Sequence, residues 1–223
     1  GIGDYWVGTS PGWSTSMGVW GGAANYLALL AYGFLPKANT MRVILVNGAK
    51  RPWTGNVTAK FDQICRTDTV RAATPNTRFT DNLNGTVTDK ETGISWTRCP
   101  LGRTWDQATQ VCAGAATSAT WQGALQAAAE INTVGGIGGH ADWRLPNYKE
   151  LISIAEPQCV SPAINLEIFP LWNADGIYVF WSSTTVAQSP TQAFRMGFGG
   201  ASFLDSLAKT NSQNMLLVRG PSL

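Results

Sequence analysis

The chain is written in short apolar runs broken by Gly, Ser, Thr and Asn, and two stretches repeat their apolar residues at helical spacing. From Thr120 to Asn132 the side chains of Trp121, Leu125, Ala128 and Ile131 recur at three- and four-residue steps. Four alanines favour helix and Gly135-Gly136 ends it, so the pattern predicts a helix with this face in the core. A second helix is expected near Asp142–Leu151, with Pro146 in its first turn, Leu151, Ile152 and Ala155 on its apolar side, and Pro157 as its stop. Elsewhere the punctuation predicts short strands: Tyr5–Val7, Met17–Trp20, Arg42–Val46, Ile94–Trp96 and the chain from Ile177 onward, with Val57–Cys65 a strand or short helix. Arg78 to Asp89 reads as a hairpin about Asn84-Gly85. Asn-Gly accepts the positive φ angles of a type I′ turn, and Thr86, Val87 and Thr88 suit a strand.

One ending occurs twice. Tyr5-Trp6-Val7-Gly8-Thr9-Ser10 resembles Phe180-Trp181-Ser182-Ser183-Thr184-Thr185; each is followed by a Gly-Gly pair (Gly21-Gly22, Gly199-Gly200) and by an apolar strand ending at Gly. Those strands are Met41–Gly48 and Met215–Gly220. The simplest account is a duplicated module: residues 1–48 are the C-terminal part of one copy, 49–77 a polar connection, and 78–223 a complete copy. A segment of about 40–50 residues rarely buries enough apolar surface alone. Residues 1–48 therefore need partners from the rest of the chain or from another chain.

Composition fits a folded domain or two: 223 residues, 44% hydrophobic. Only 13% of residues are charged and the net charge is +2, too little for a field that collects nucleic-acid phosphates or anionic membrane. Arg42, Lys50 and Arg51 form a modest local cluster. The apolar run Tyr26–Tyr32 is far short of the about 20 residues needed to span a bilayer, so no membrane insertion is expected. Gly1 lacks a basic n-region or initiator Met and reads as a processed or artificially cut start. The 24 Gly and ten Trp, with many Ser, Thr and Asn, describe an aromatic, weakly charged surface of the kind common in exported proteins.

Cys65, Cys99, Cys112 and Cys159 include no CxxC pair, which argues against a zinc or redox site, and no metal or other cofactor is expected. Cys99 and Cys112 bracket a turn-rich loop whose closure would stabilise by about 3 kcal/mol on the chain-entropy model. Four cysteines allow three pairings, and the sequence alone leaves all three open. Bridges of any pairing imply an oxidising compartment.

A set of motifs in fixed order carries a family resemblance. These are Arg78–Asp81, Asn84–Asp89, Thr92-Gly93 and Trp96; then Trp121 with Ala124-Leu125; then Asp142-Trp143-Arg144-Leu145-Pro146-Asn147 with Lys149-Glu150-Leu151; then Pro162–Asn165 with Phe169-Pro170; then Trp181–Thr184. Over about residues 61–220 the chain resembles the C-terminal domain of the bacterial collagen-like adhesin Lcl and its relatives. The resemblance implies an α+β, C-type-lectin-like fold, with two helices packed on small irregular antiparallel sheets. It also implies an extracellular or bacterial surface module that recognises a host or cell-surface glycan or protein, in several relatives sulfated polysaccharide, and no catalysis. On proximity and on this resemblance we pair Cys99 with Cys112 and Cys65 with Cys159.

Without the family, Trp143 and Trp181 read as core tryptophans, Arg144 as a partner of buried carbonyls or an acid, and Ser182–Thr184 as hydroxyls holding a turn. Recognition is then expected where the two copies differ. The candidate binding loops carry Trp13, Tyr26, Tyr32 and Phe34 in the partial copy, and Ser202, Phe203, Asp205, Lys209, Asn211 and Asn214 in the complete one. Two calcium-lectin-like motifs, Glu156-Pro157-Gln158 and Trp172-Asn173-Ala174-Asp175, depart from the pattern: Cys159 follows the first and an inserted Ala breaks the second. Asp81–Gly85 reads as a turn rather than a calcium loop. His140, in a glycine turn with no nucleophile motif elsewhere, gives no basis for an enzyme. The nearly neutral charge argues against a polyanion ligand. An alternative role is a structural subunit of a surface appendage or filament, with residues 1–48 completing or contacting a neighbour.

Overall fold

The computed structural model describes residues 15–17, 34–36, 63–66, 71–171, 179–200 and 202–223, the first two ranges as backbone alone. The strands expected at Tyr5–Val7 and Arg42–Val46, and the Arg42, Lys50 and Arg51 cluster, lie outside the described residues.

In chain order the strands are β1 (Thr15–Met17), β2 (Phe34–Pro36), β3 (Ile64–Cys65), β4 (Phe79–Asp81), β5 (Thr86–Asp89), β6 (Ser95–Thr97), β7 (Thr104–Asp106), β8 (Val111–Ala113) and β9 (Ser118–Ala119). Helices α1 (Trp121–Thr133) and α2 (Tyr148–Ser153) follow, then β10 (Cys159–Val160), β11 (Val179–Val186), β12 (Ser189–Gly197), β13 (Phe203–Ala208), β14 (Gln213–Asn214) and β15 (Val218–Arg219). The largest sheet has the order β13-β12-β11-β14-β9, and a second runs β15-β6-β5-β4. β1–β2, β3–β10 and β7–β8 are separate antiparallel pairs. The described residues thus form an α+β module of two helices and small, mostly antiparallel sheets.

Thr120 caps α1, its side chain accepting from the Gly123 N–H, and the Gly136 N–H closes the other end on the Ile131 carbonyl. Gly136 sits at φ +72°, and a Cβ there would fall 1.6 Å from the His140 carbonyl oxygen, so only glycine turns the chain here. The buried stripe centres on Ala124 and Ala128, flanked by Trp121, Ala127 and Ile131, and Leu125 is 36% exposed. The expected face is corrected by one position: small alanines let the helix approach Trp181, and the bulkier Leu125 is turned outward.

α2 begins later than expected. Pro146 precedes the helix, and Asn147 is its cap: the Asn147 side chain accepts from the N–H groups of Lys149 and Glu150, and Glu150 accepts in return from the Asn147 N–H. The helix ends at Ser153, before Pro157, and Leu151 alone of its expected apolar face is fully buried; Ile152 is 45% exposed and Ala155 lies beyond the helix, packed on the core. Six residues make too little helix to carry a broad stripe.

Two apolar clusters result. In one, Phe79 and Trp96 meet Phe169 edge-on, with ring centroids 5.6 and 6.1 Å apart, above Leu151, Ile154, Phe180 and Leu216. The other joins Ala124 and Ala128 to Trp143, Leu145, Trp181, Met215 and Leu217. Trp143 donates to the Ile137 carbonyl and Trp181 to the Ala119 carbonyl, so both are core residues with satisfied indoles. Arg144 forks onto Glu150, which is fully buried. Upstream, Gln63 donates to the Pro162 and Ile164 carbonyls and Thr74 is wholly buried, so residues 63–66 and 71–78 pack on the module.

Candidate functional site

The β4–β5 connection is the first departure from sequence expectation that matters for a site. The positive φ angles fall on Leu83 (60°) and Gly85 (82°), not on an Asn84-Gly85 pair. Side chains dictate this: Asp81 accepts from the Leu83 N–H, and Asn84 accepts from the N–H and hydroxyl of Thr86. These local bonds shape a longer turn than type I′, with Leu83 at its tip and 71% exposed.

Across from that turn stands the β7–β8 hairpin, closed by the Cys99–Cys112 disulfide. It carries Trp105, whose indole N–H donates to Gln107 Oε1 at 2.8 Å. Arg98 lies against the Trp105 ring at 3.8 Å from the centroid while its guanidinium bonds Asp81 and the Glu167 and Ile168 carbonyls. Burial lowers the Arg98 pKa, with Asp81 opposing the shift. Gly85 lets the two walls meet, since a Cβ there would lie 3.2 Å from Trp105 Cβ. Asn84 donates to the Gly138 carbonyl, adding the 135–140 loop as a third side. Between them lies a groove of about 310 Å³ lined by Leu83, Asn84, Arg103, Trp105, Gln107 and Ile137, among others. One lining residue is charged, Arg103, which donates to the Cys112 carbonyl; Arg98, buried and matched by Asp81, does not line the groove.

The residues expected to bind ligand are elsewhere. Trp13, Tyr26 and Tyr32 lie outside the described residues, and Phe34 is described only as backbone of β2. The Ser202–Asn214 stretch is no loop: six consecutive pairs, from Gln192 opposite Ala208 to Gly197 opposite Phe203, knit it to β12 as β13, followed by a turn and β14. Its hydrophobic-polar alternation is weak, which hid the strand; the long partner β12 imposes it. Ser202 stands just before β13, whose Phe203 ring covers Gly197 and whose Asp205 forks with Arg195. Lys209 donates to Thr185 and sits 3.8 Å over the Trp121 ring, Asn211 bonds the Ala208 carbonyl, and Asn214 donates to the Val179 carbonyl. Phe203 and Asp205 therefore share the edge of the sheet, whereas Lys209, Asn211 and Asn214 are engaged in holding the strand ends.

The calcium-lectin-like Glu156 is 3% exposed and already surrounded by donors: the N–H groups of Ala73, Thr74 and Gln158 and the Thr74 hydroxyl. It braces the residue 71–78 segment and lines a second cleft of about 360 Å³. Its neighbour Cys159 is bonded to Cys65. Trp172-Asn173-Ala174-Asp175 lies outside the described residues. Among the described residues, no group of three or more His, Cys, Asp and Glu is placed to hold a metal ion.

Fold and site define a small, disulfide-bonded α+β module with a groove that has Trp105 in its wall. The chain belongs to the Lcl C-terminal domain family, whose model matches residues 85–219. No curated protein and no solved structure matches it. The two pairings inferred from the family, Cys65–Cys159 and Cys99–Cys112, are those the structure forms, and no described helix is long and apolar enough to cross a membrane.

Proposed function

We propose that this chain is an extracellular, C-type-lectin-like recognition module of the adhesin type, binding a glycan or protein at a cell surface without catalysis. The observation that carries the reading is family membership over residues 85–219. Two disulfides are compatible with an oxidising, exported setting. The test is an array of glycans and of surface-protein extracts probed with the 223-residue chain. Saturable binding that survives mild heating below the unfolding transition but is lost on disulfide reduction is the expected result; an empty array on folded protein would sink the reading.

A second reading, assembly, is favoured by the repeated ending. In the complete copy its counterparts Phe180, Trp181, Leu216, Leu217 and Val218 are fully buried against Trp96, Leu145, Leu151 and other residues supplied by positions 79–171. Residues 1–48 repeat the buried residues without repeating that scaffold. The rest of the chain or a neighbouring copy would have to supply it, and the assembly reading takes the second. Light scattering on the chain with and without residues 1–48 tests this: loss of an oligomer supports assembly, and an unchanged monomer removes it.

A further inference from the structure

We propose that the groove between Leu83 and Trp105 is a binding site for a short, uncharged saccharide. The proposal rests on the recognition reading and assigns it a place and a ligand chemistry.

Four separated segments converge on this groove: the β4–β5 turn, the start of the Cys99–Cys112 loop, the β7–β8 hairpin and the 135–140 loop. Such convergence creates a concave surface that none of the segments has alone, and about 310 Å³ is at the small end of ligand pockets. Its walls combine apolar groups (Leu83, Pro100, Leu101, Ile137), one partly exposed indole and the exposed amide of Gln107, while the Asn84 amide holds the walls together through Thr86 and Gly138. A pyranose ring presents the matching pair of surfaces, a C–H face for an indole or aliphatic wall and hydroxyl edges for amides.

Charge decides against a polyanion: one arginine, Arg103, lines the groove, donating to the Cys112 carbonyl, and no second cation lines it. Arg98 is neutralised by Asp81 and spent on two carbonyls, so it serves as a backing plate for Trp105 rather than as a cation offered to solvent. Elsewhere on the described module Arg78, Arg144, Arg195 and Arg219 likewise face carboxylates. Polyanion capture needs clustered cations that are not already paired.

Leu83 is the residue hardest to explain otherwise. A branched apolar side chain held at φ +60° and 71% exposed is unfavourable on both counts, and strain of this kind is retained where the side chain does something. Glycine would serve the turn better. Leu83 instead supplies an aliphatic lip to the groove.

The experiment titrates the 223-residue chain, disulfides intact, with lactose, cellobiose, maltose, mannobiose, N-acetyllactosamine and chitobiose, following the Trp105 indole N–H by nitrogen-15 NMR. We expect at least one sugar to shift that resonance with an affinity unchanged between low salt and about 0.5 M salt. Gln107→Ala and Leu83→Gly, both at exposed positions, should each weaken it about tenfold or more, equivalent to about 1.4 kcal/mol, with native circular dichroism. Trp105→Ala should abolish the response, but it also removes the Arg98 stack, so the two milder variants decide. A glycan or protein that binds equally to wild type, Gln107→Ala and Leu83→Gly would overturn the groove assignment and leave the recognition reading standing. Binding confined to sulfated chains and lost in salt would overturn it likewise. Silence from every sugar, glycan and protein probed would overturn both.

Discussion

Arg98 and Trp105 form one unit: the guanidinium carbon lies 3.8 Å from the indole centroid, and the same guanidinium ties β6's end to Asp81 and to the carbonyls of Glu167 and Ile168. The stack therefore sets the wall of the groove and anchors a distant loop at once. Lysine keeps the charge but cannot reach three acceptors in a plane. Arg98→Lys is expected to lower stability by about 2–3 kcal/mol, read as a lower urea midpoint, and to alter Trp105 fluorescence in the folded state.

Leu83→Gly should do the opposite to stability. It relieves a left-handed φ at a residue with little packing to lose, and the gain expected is about 0.5–1 kcal/mol after the added freedom of the unfolded chain is subtracted. Thermal unfolding checks this; a lower midpoint would mean the exposed leucine is packed more productively than its 71% exposure indicates.

The disulfides differ in what they hold. Cys65–Cys159 spans 94 positions and Cys99–Cys112 spans 13, which on the chain-entropy model correspond to about 4.7 and about 3 kcal/mol. The double serine variant of the first pair should unfold at lower denaturant than that of the second. Loss of the second pair should act instead on the hairpin, broadening the Trp105 resonance while the helices persist.

Asp89 gives the pH dependence a sign. Burial pushes its pKa up, but hydrogen bonds from the Arg78 guanidinium, the Thr92 hydroxyl and the Glu91 N–H together outweigh that and leave it below the ordinary carboxylate value. A depressed folded-state pKa contributes stability that is complete above the unfolded value, near 4, and vanishes as pH falls through the lower folded value. Asp89→Asn should therefore be less stable than wild type at neutral pH by about 1.5–3 kcal/mol. Urea titrations repeated down the acid range should show that gap closing below about pH 4.

How far the sequence could be read depended on the range of the forces involved. α1 was legible because Thr120, the alanines and Gly135-Gly136 act within a few residues of one another. The Asn147 and Glu150 capping box was equally local, yet placing Pro146 in the first turn set the start at least two positions before Tyr148. Short strands were expected from Ile177 onward, but Ser202–Asn214 was also read as a binding loop, because the pairing of Phe203–Ala208 with β12 is not marked in its own residues. The groove was least visible of all: Leu83, Trp105 and Ile137 are brought together by Asn84 reaching Gly138 and by Arg98 reaching Asp81, over separations of 54 and 17 residues. Two signals were present nonetheless, a lone leucine inside the polar run Asp81–Gly85 and a tryptophan enclosed in the small Cys99–Cys112 loop.

The bond between Cys65 and Cys159 also decides how the module would carry tension. A pull arriving along the chain before Cys65 and leaving after Arg219 crosses directly from sulfur to sulfur into residue 159, and residues 66–158 hang from that path as a closed loop. Both helices, the β7–β8 hairpin and every residue lining the groove belong to the loop. The load runs through β10–β15, so the residues lining the groove lie off the covalent path between the two points of pull.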